Sequence, residues 1–231
     1  MTKAVLFDFG GTIDTDGIHW SEKFWDIYQL NNVPVTKAVY EKAYVFAENN
    51  MSRKIKHDDS FKTILERQLK LQIGYLTLTE ALPESERNSL ASALANSCYN
   101  DVTVCINGIR DVLESLSKKY ALGVVSNFYG NMLAVLKEFG LNEYFSTVAD
   151  SEIIGIKKPD PGIFIHALNE LDVEASSAFV VGDSYDRDIQ PAKKAGCKTI
   201  WIDGKSWRRP VDTQDADFTI HSLRELNNII N

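Results

Sequence analysis

Cysteine is scarce in this chain of 231 residues, which contains only Cys98, Cys105 and Cys197. An odd, widely spaced set provides neither a disulfide framework nor the paired thiolates of a zinc site, so we expect free thiols in a reducing compartment. Long apolar runs are also missing, and none approaches the roughly 20 residues that a bilayer-crossing helix needs. The N-terminus lacks the charged-then-apolar pattern of a signal peptide. These absences predict a cytoplasmic protein.

Positive charge is the next deficit. The chain carries 25 Lys and Arg against 32 Asp and Glu, a formal net charge of −7. Proteins whose main partner is nucleic acid or an anionic membrane usually have the opposite balance. We therefore expect neither partner, although a small anionic ligand needs only a local positive site.

The N-terminal segment contains a strand signal followed directly by a turn signal. Residues 3–7 form an apolar run that is long enough for a buried strand and too short for a typical helix. Asp8 and Phe9 follow, and the glycine pair Gly10 and Gly11 then frees the backbone to turn sharply. This order places Asp8 at the carboxyl end of a central strand, where open α/β sheets bind their ligands.

Residues 16–100 contain few strand signals. Phe61, Leu65, Leu69 and Ile73 recur at fourfold spacing, as one face of a helix requires. Similar patterns predict helices near residues 39–46 and 90–98. The segment is therefore predicted to be a helical insert.

From residue 101 onward, helix and strand patterns alternate. Strands are predicted at residues 120–125, 145–149, 178–181, 198–202 and 217–220, and helices at 109–116, 132–139, 160–171 and 189–195. Such alternation implies a parallel sheet with helices on both faces. The predicted fold is a doubly wound α/β core, residues 1–15 and 101–231, with a helical domain of residues 16–100 inserted after the first strand.

Further polar groups follow the predicted strands. Ser126 and Asp183 each come directly after a strand, Asp188 lies shortly beyond Asp183, and Lys158 lies between two elements. Two carboxylates at one edge suit a hard divalent cation such as Mg²⁺, whereas a hydroxyl and a lysine suit phosphate oxygens. Asp8 is then free to act as a nucleophile, because metal and lysine offset the repulsion between two anions.

Together, these segments resemble the four motifs of the haloacid dehalogenase (HAD) superfamily, in the same order and the same strand-end context. The matching segments are residues 8–12, 126–127, 158–161 and 182–188. The resemblance covers the predicted core and implies that the insert is the cap that this superfamily often carries after its first motif.

The resemblance implies a catalytic role for three residues. Asp8 would be the nucleophile that forms an aspartyl intermediate. Ser126 would bind the transferring phosphoryl group, and Lys158 would neutralise its charge. The residues that would contact the substrate are Phe9, Gly10 and Asn127.

The resemblance also implies a metal site. Asp8, the backbone carbonyl of Gly10 and Asp183 would hold Mg²⁺. Asp188 would support Lys158 or the waters of the metal. The expected ligand is a small phosphorylated metabolite.

Position 10 departs from the motif of the family's phosphatases, which usually carry a second Asp there. That Asp protonates the leaving group and then activates water, and such groups typically contribute about 10²–10⁴-fold in rate. Gly10 keeps the carbonyl and lacks the acid. Asp14 and Asp16 lie just downstream, and Asp14 is one candidate replacement, although a solvated loop carboxylate is the more common case. Glycine could also hold a conformation that Asp tolerates poorly.

Three other segments remain, and the first two of them allow two interpretations each. The basic residues 51–57 could reach the anionic group of a substrate or supply an imine-forming lysine, whereas such charge runs are usually solvated. His19 and Trp20, beside the expected hinge of the cap, could line the pocket, or they could be a surface histidine and a half-buried aromatic residue. Residues 207–209 are predicted to be a surface loop.

The sequence therefore predicts a Mg²⁺-dependent phosphatase that works through an aspartyl-phosphate intermediate. Hydrolytic dehalogenation by the same Asp8, without a metal, is one alternative, and Lys158 with the pair Asp183 and Asp188 favours phosphoryl chemistry over it. Phosphonate cleavage is another, which Gly10 fits. A third is a degenerate member that binds a ligand or partner without turnover. The sequence indicates no oligomeric state.

Overall fold

The structure, a computed structural model, describes residues 2–51, 55–207 and 209–230. Its strands are β1 (Ala4–Phe7), β2 (Ala121–Ser126), β3 (Thr147–Asp150), β4 (Ala178–Gly182), β5 (Lys198–Ile202) and β6 (Phe218–Ile220). They form one parallel sheet in the order β3-β2-β1-β4-β5-β6. Because β1 lies between β2 and β4, the direction of winding reverses beside it, which is where such sheets bind ligands.

Strand β1 is buried on both faces of the sheet. Its residue Phe7 pairs in register with Val124 of β2 and with Val181 of β4. Val5 and Phe7 pack into one apolar cluster, whereas Ala4 and Leu6 pack into the other. Burial on both faces explains why the strand is a continuous apolar run. The predicted doubly wound α/β core is confirmed.

Nine helices accompany the sheet within the described residues. They are α1 (Trp20–Leu30), α2 (Lys37–Met51), α3 (Phe61–Leu78), α4 (Arg87–Ser117), α5 (Met132–Glu138), α6 (Ser151–Ile154), α7 (Gly162–Leu171), α8 (Gln190–Lys194) and α9 (Leu226–Ile229). The first four come from the predicted insert, where α3 packs against both α2 and α4. The predicted helical character of that segment is confirmed.

Helix α4 differs from the prediction, because it joins two helices that the sequence pattern placed apart. Its buried face continues from Cys98 through Val102 and Ile106 to Ile109, so the helical spacing does not break at the expected boundary between residues 100 and 101. The helix therefore belongs to the insert at one end and to the core at the other. The division into core and cap stays a prediction.

Two absences in the sequence have structural counterparts. All three cysteines are free thiols, and Cys98 and Cys197 are buried. Among the described residues, no helix has both the length and the apolar character needed to cross a membrane.

Candidate active site

The turn after β1 places the Asp8 carboxylate at the carboxyl edge of the sheet. Asp8 donates its backbone N–H to the Val181 carbonyl across a distance of 2.9 Å. Gly11 follows in the left-handed region, with φ 96°, and a β-carbon there would lie 2.5 Å from Asp183 Oδ2. Position 11 therefore needs glycine both for its backbone and for the close approach of Asp183.

A buried network of charged groups connects the predicted catalytic residues. Lys158 Nζ donates to Asp8 Oδ1 at 2.5 Å, to Asp188 Oδ1 at 2.6 Å and to the Val125 carbonyl at 3.0 Å. Ser126 Oγ donates to the same oxygen of Asp8 at 3.1 Å. Burial opposes the charged form of Lys158, but the Coulombic attraction of Asp188 and Asp8 raises its pKa above the usual value. The lysine therefore stays protonated.

Three carboxylates lie at this edge, each with an oxygen within 4.8 Å of the others: Asp8, Asp183 and Asp188. Burial raises the pKa of Asp183 well above its usual value, and the nearby Asp188 and Asp8 add to the shift. Burial also raises the pKa of Asp188 to about 6, against the attraction of Lys158. Three carboxylates share one lysine, so the cluster carries excess negative charge and offers the hard oxygen ligands that Mg²⁺ prefers.

Thr12 connects the first and last motifs, a role that the sequence analysis did not assign. The backbone N–H of Asp183 donates to Thr12 Oγ1 at 3.0 Å. The same hydroxyl lies 3.5 Å from Asp8 Oδ2 and 3.5 Å from Asp183 Oδ1. Thr12 is fully buried. Because its hydroxyl lies next to both carboxylates, it helps to set the distance between Asp8 and Asp183.

Two residues predicted to contact substrate have other partners in the structure. The Asn127 amide donates to the Lys158 carbonyl at 2.9 Å and accepts from the Lys158 N–H at 2.8 Å. The Phe9 ring packs edge-on against the rings of Phe61 and Phe128 and is fully buried. Asn127 also lines the cavity described next, and its contact with substrate stays a prediction. Phe9 does not line that cavity, and its contact with substrate also stays a prediction.

A cavity of about 160 Å³ opens above the charged network. Its core wall contains every predicted site residue except Phe9, together with Arg187, and its other wall comes from the insert. The insert residues that line it are His19, Trp20, Phe24, Tyr44, Glu48, Phe61, Ile64, Leu65 and Gln68. Of the two interpretations left open for His19 and Trp20, the structure supports pocket lining, and both residues are half-buried. Glu48 and Gln68 were missed, although Gln68 interrupts the apolar face of α3 between Leu65 and Leu69.

The expectation that Asp14 is a solvated loop carboxylate is wrong. Asp14 is fully buried beneath the first motif, where the Gly11 N–H donates to Oδ1 at 2.7 Å and Trp20 Nε1 donates to Oδ2 at 2.9 Å. Burial raises the pKa of its carboxyl to about 7. The indole of Trp20 also lies 3.5 Å from where a β-carbon at position 10 would stand. Trp20 therefore lines the cavity, whereas Asp14 is not among the lining residues.

The two remaining segments differ from each other. Of the basic run at residues 51–57, Ser52, Arg53 and Lys54 lie outside the described residues, and Lys56 and His57 are exposed and do not line the cavity. Trp207 lies in a loop, as predicted, and its half-buried ring packs edge-on against Tyr40 and Tyr44. Arg208 lies outside the described residues, and Arg209 is exposed beside Asp203.

This fold and this arrangement of carboxylates and lysine define a class of hydrolases. The family described as haloacid dehalogenase-like hydrolase matches residues 5–202, and the chain belongs to it. The expected resemblance is confirmed.

Individual relatives add detail. The glyceraldehyde 3-phosphate phosphatase of Methanocaldococcus jannaschii is 30% identical over 138 residues, which cover 57% of this chain and 60% of that protein. The pyrimidine 5'-nucleotidase YjjG of Escherichia coli is 26% identical over 164 residues, or 70% of this chain and 72% of that protein. The magnesium-bound crystal structure of YfnB from Bacillus subtilis aligns with a TM-score of 0.61 and 21% identity, covering 100% of this chain and 99% of that one.

Partial coverage and low sequence identity limit what these matches show about the function of this chain. The chain spans no more than about 60% of the length of the first curated relatives that it matches. At 21% identity, the likeness to YfnB concerns the fold alone.

Proposed function

We propose that this protein is a Mg²⁺-dependent phosphatase that hydrolyses a small phosphorylated metabolite through an aspartyl-phosphate intermediate on Asp8. The observation that carries the proposal is the buried contact of Asp8 with both Ser126 and Lys158, at 3.1 Å and 2.5 Å. A carboxylate nucleophile, Asp8, therefore lies in contact with two hydrogen-bond donors, Ser126 and Lys158, that suit phosphate oxygens. The phosphatase names of curated relatives support it.

The chain's own groups provide the nucleophile and the phosphate contacts for the covalent step, whereas position 10 carries no acid for the leaving group. A phosphoryl group placed against Asp8 meets the Ser126 hydroxyl and the Lys158 ammonium, which both donate to its oxygens. A carboxylate oxygen of Asp8 attacks phosphorus as the bond to the leaving oxygen breaks, and the leaving oxygen takes a proton from solvent. Water then attacks the phosphorus of the acyl phosphate, which releases inorganic phosphate and a proton and restores the Asp8 carboxylate. Lys158 keeps its charge throughout, since Asp188 remains beside it.

The cluster of acidic residues fits a magnesium ion. Asp8 and Asp183, with the carbonyl of Gly10, would hold it, and Asp188 would support the lysine at 2.6 Å. When bound, Mg²⁺ supplies positive charge that reduces the repulsion between a carboxylate and a phosphate. The excess of three carboxylates over one lysine is the feature of this structure that supports the ion.

Dehalogenation remains the second candidate, because one observation favours it. Position 10 carries no acid, and the indole of Trp20 faces the space above it. Displacement of a halide from carbon needs no proton for the leaving group. The pair Asp183 and Asp188, however, suits a divalent cation and favours phosphoryl chemistry over this reaction.

A panel of substrates with and without Mg²⁺ tests the proposal. We expect Mg²⁺-dependent release of nitrophenol from p-nitrophenyl phosphate and no halide release from 2-chloropropionate. The substitution D8N should reduce phosphatase activity by roughly 10⁴-fold, whereas D111N, which changes an exposed carboxylate on α4, should have wild-type activity. Full activity of D8N would exclude the covalent mechanism. Halide release without Mg²⁺ would favour dehalogenation.

A further inference from the structure

Two polar side chains of the insert lie in the wall of the same cavity. Glu48 belongs to α2 and Gln68 to α3, and both line the space that contains Asp8. Gln68 Nε2 donates to Glu48 Oε1 at 2.6 Å. Gln68 is only 3% exposed. The pair therefore joins two helices at the cavity surface.

The hydrogen bond to Glu48 fixes how the Gln68 amide points. A carboxylate oxygen accepts, so the nitrogen of the amide must face Glu48 and its oxygen must face away. Within the described part of the chain, that oxygen is buried and has no hydrogen-bond partner. A buried acceptor without a partner costs about 1–3 kcal/mol of stability. Because Gln68 lines the cavity, a donor that arrives with a ligand would satisfy this oxygen.

We propose that Gln68 and Glu48 recognise the leaving alcohol, and that the substrates are phosphate monoesters of short polyhydroxy alcohols. This inference rests on the phosphatase function proposed above. Gln68 Oε1 and the Glu48 carboxylate are acceptors, so the group they bind must donate. Arg187 lines the same cavity, so a neutral hydroxyl suits the site better than a second cation.

The size and lining of the cavity agree with a short carbon chain. Its volume of about 160 Å³ matches a short carbon chain, and a second cavity adjoins it at Tyr44, Glu48 and Arg187. The rings of Phe24, Tyr44 and Phe61 form part of its wall, and aromatic surfaces pack well against C–H groups while a few polar groups fix orientation. The hydroxyls of a polyol would then meet the two acceptors as its phosphate meets Ser126 and Lys158.

Binding to a variant that cannot turn over tests the subsite separately from the reaction. In the D8N background with Mg²⁺, calorimetry compares glycerol 1-phosphate with propyl phosphate, which lacks only the two hydroxyls. We expect glycerol 1-phosphate to bind at least about tenfold tighter. Q68L should reduce that preference to within about twofold, and E48L should do the same. E48L changes an exposed side chain, so it serves as the second variant if Q68L does not fold.

Gln72 offers a matched control. It lies one helical turn from Gln68 on α3, is fully buried, and within the described residues has no partner for either amide atom. Gln72 does not line the cavity. Q72L should therefore keep the full preference for glycerol 1-phosphate, because it removes the same amide from a site that no ligand reaches.

Each other outcome decides against one proposal or the other. Equal affinities for the two esters in D8N, or an intact preference in both Q68L and E48L, would overturn the subsite. If D8N binds neither ester while the wild type hydrolyses p-nitrophenyl phosphate, the subsite fails and the phosphatase function stands. If the wild type hydrolyses no phosphate ester, the phosphatase function fails, and the affinity ratio in D8N alone decides the subsite.

Discussion

The core wall and the insert wall of the cavity differ in how completely their polar groups are paired. In the core, Lys158 Nζ has three acceptors, and Asp188 receives Lys158 on one oxygen and the Ser184 N–H on the other, at 3.0 Å. In the insert wall, Gln68 keeps a buried oxygen that has no partner among the residues that the structure describes. Hydrogen bonds around Lys158 that are formed before substrate arrives fix the geometry of a reaction. An acceptor in the wall that has no partner can bind a hydrogen-bond donor of the substrate.

The two walls meet at Trp20. As the first residue of α1, it donates from Nε1 to Asp14 beneath the core motif. Its ring also packs against Phe24 and Phe61 of the insert, with centroids 4.9 and 5.9 Å away. Gly10 therefore faces an indole from the insert where related phosphatases carry an acid. Substitutions test this difference between the two walls, in order of decreasing expected effect, at Asp14, Asp183, Gly10 and the exposed part of the insert.

Asp14 should produce the largest effect, on stability against pH. Burial raises its pKa to about 7 from the ordinary 3.8, so the folded state binds this proton more tightly than the unfolded chain. Stability from this group is complete below about pH 4 and is lost as pH rises through about 7. Since one pKa unit corresponds to about 1.4 kcal/mol, the unfolding free energy of the wild type should fall by up to about 4 kcal/mol relative to D14N between pH 4 and 8.

Urea denaturation across this pH range measures the difference. Changed hydrogen bonds to Gly11 and Trp20 add an offset in D14N, but an asparagine does not titrate, so the slope against pH is the readout. D111N, at an exposed position, controls for the loss of one charge. Parallel curves for wild type and D14N would mean that Asp14 ionises normally inside the fold.

The next prediction concerns stabilisation by Mg²⁺ bound at the carboxylates Asp8 and Asp183. Millimolar Mg²⁺ at a hundredfold excess over its dissociation constant should stabilise the wild type by about 2.7 kcal/mol, or roughly 5–10 °C in melting temperature. D183N should melt higher than the wild type without Mg²⁺, because burial and two neighbouring carboxylates oppose the ionised Asp183. It should then gain little from the ion. D186N, at an exposed position nearby, should respond like the wild type, and an equal response of D183N would exclude the proposed site.

Restoring an acid at position 10 should have the next effect. Gly10 has φ −77° and ψ 111°, a region open to every residue, and a β-carbon would make ordinary contacts of 3.5 Å with Trp20. The expected difficulty for Asp therefore does not arise from the backbone. G10D should accelerate hydrolysis of an alkyl phosphate by about 10–100-fold.

The kinetic course provides a second readout at the same position. Without a base for water, the wild type should release about one equivalent of nitrophenol per site in a burst and then turn over slowly. G10D should remove the burst, and G10A, which fills the space without an acid, should keep it. Fast hydrolysis of an alkyl phosphate by the wild type, without a burst, would show that another group supplies the proton.

The sequence predicted the core wall far better than the insert wall, for a physical reason. Asp8, Ser126 and Asp183 each follow an apolar strand, and parallel strands of one sheet end at the same edge, so local patterns determined a three-dimensional cluster. Glu48 and Gln68 lie within helices, where a polar residue usually indicates solvent. The packing of α2, α3 and α4 decides which helix face lines the cavity, and no local sequence pattern predicts this packing.

Buried polar residues in loops were the other source of error. Asp14 follows a glycine turn and precedes a glycine, a context that is usually solvated. Its burial depends on Trp20 and on the Gly11 N–H, and the approach of these partners is a tertiary feature. The edge-on contacts of the Trp207 ring with Tyr40 and Tyr44 of α2 are also tertiary features that no local pattern predicts.

The smallest expected effect concerns the exposed basic residues of the insert. Lys56 and His57 do not line the cavity, so their charges act on a bound phosphate only through solvent, where salt screens them within about 10 Å. K56A and H57A should therefore change kcat/KM for glycerol 1-phosphate and for propyl phosphate by less than about twofold, or roughly 0.4 kcal/mol. The ratio between the two esters should not change, unlike in Q68L. A change beyond about fivefold that persists at high salt would mean that this segment reaches the substrate during turnover, and the insert would then recognise the phosphate as well as the alcohol.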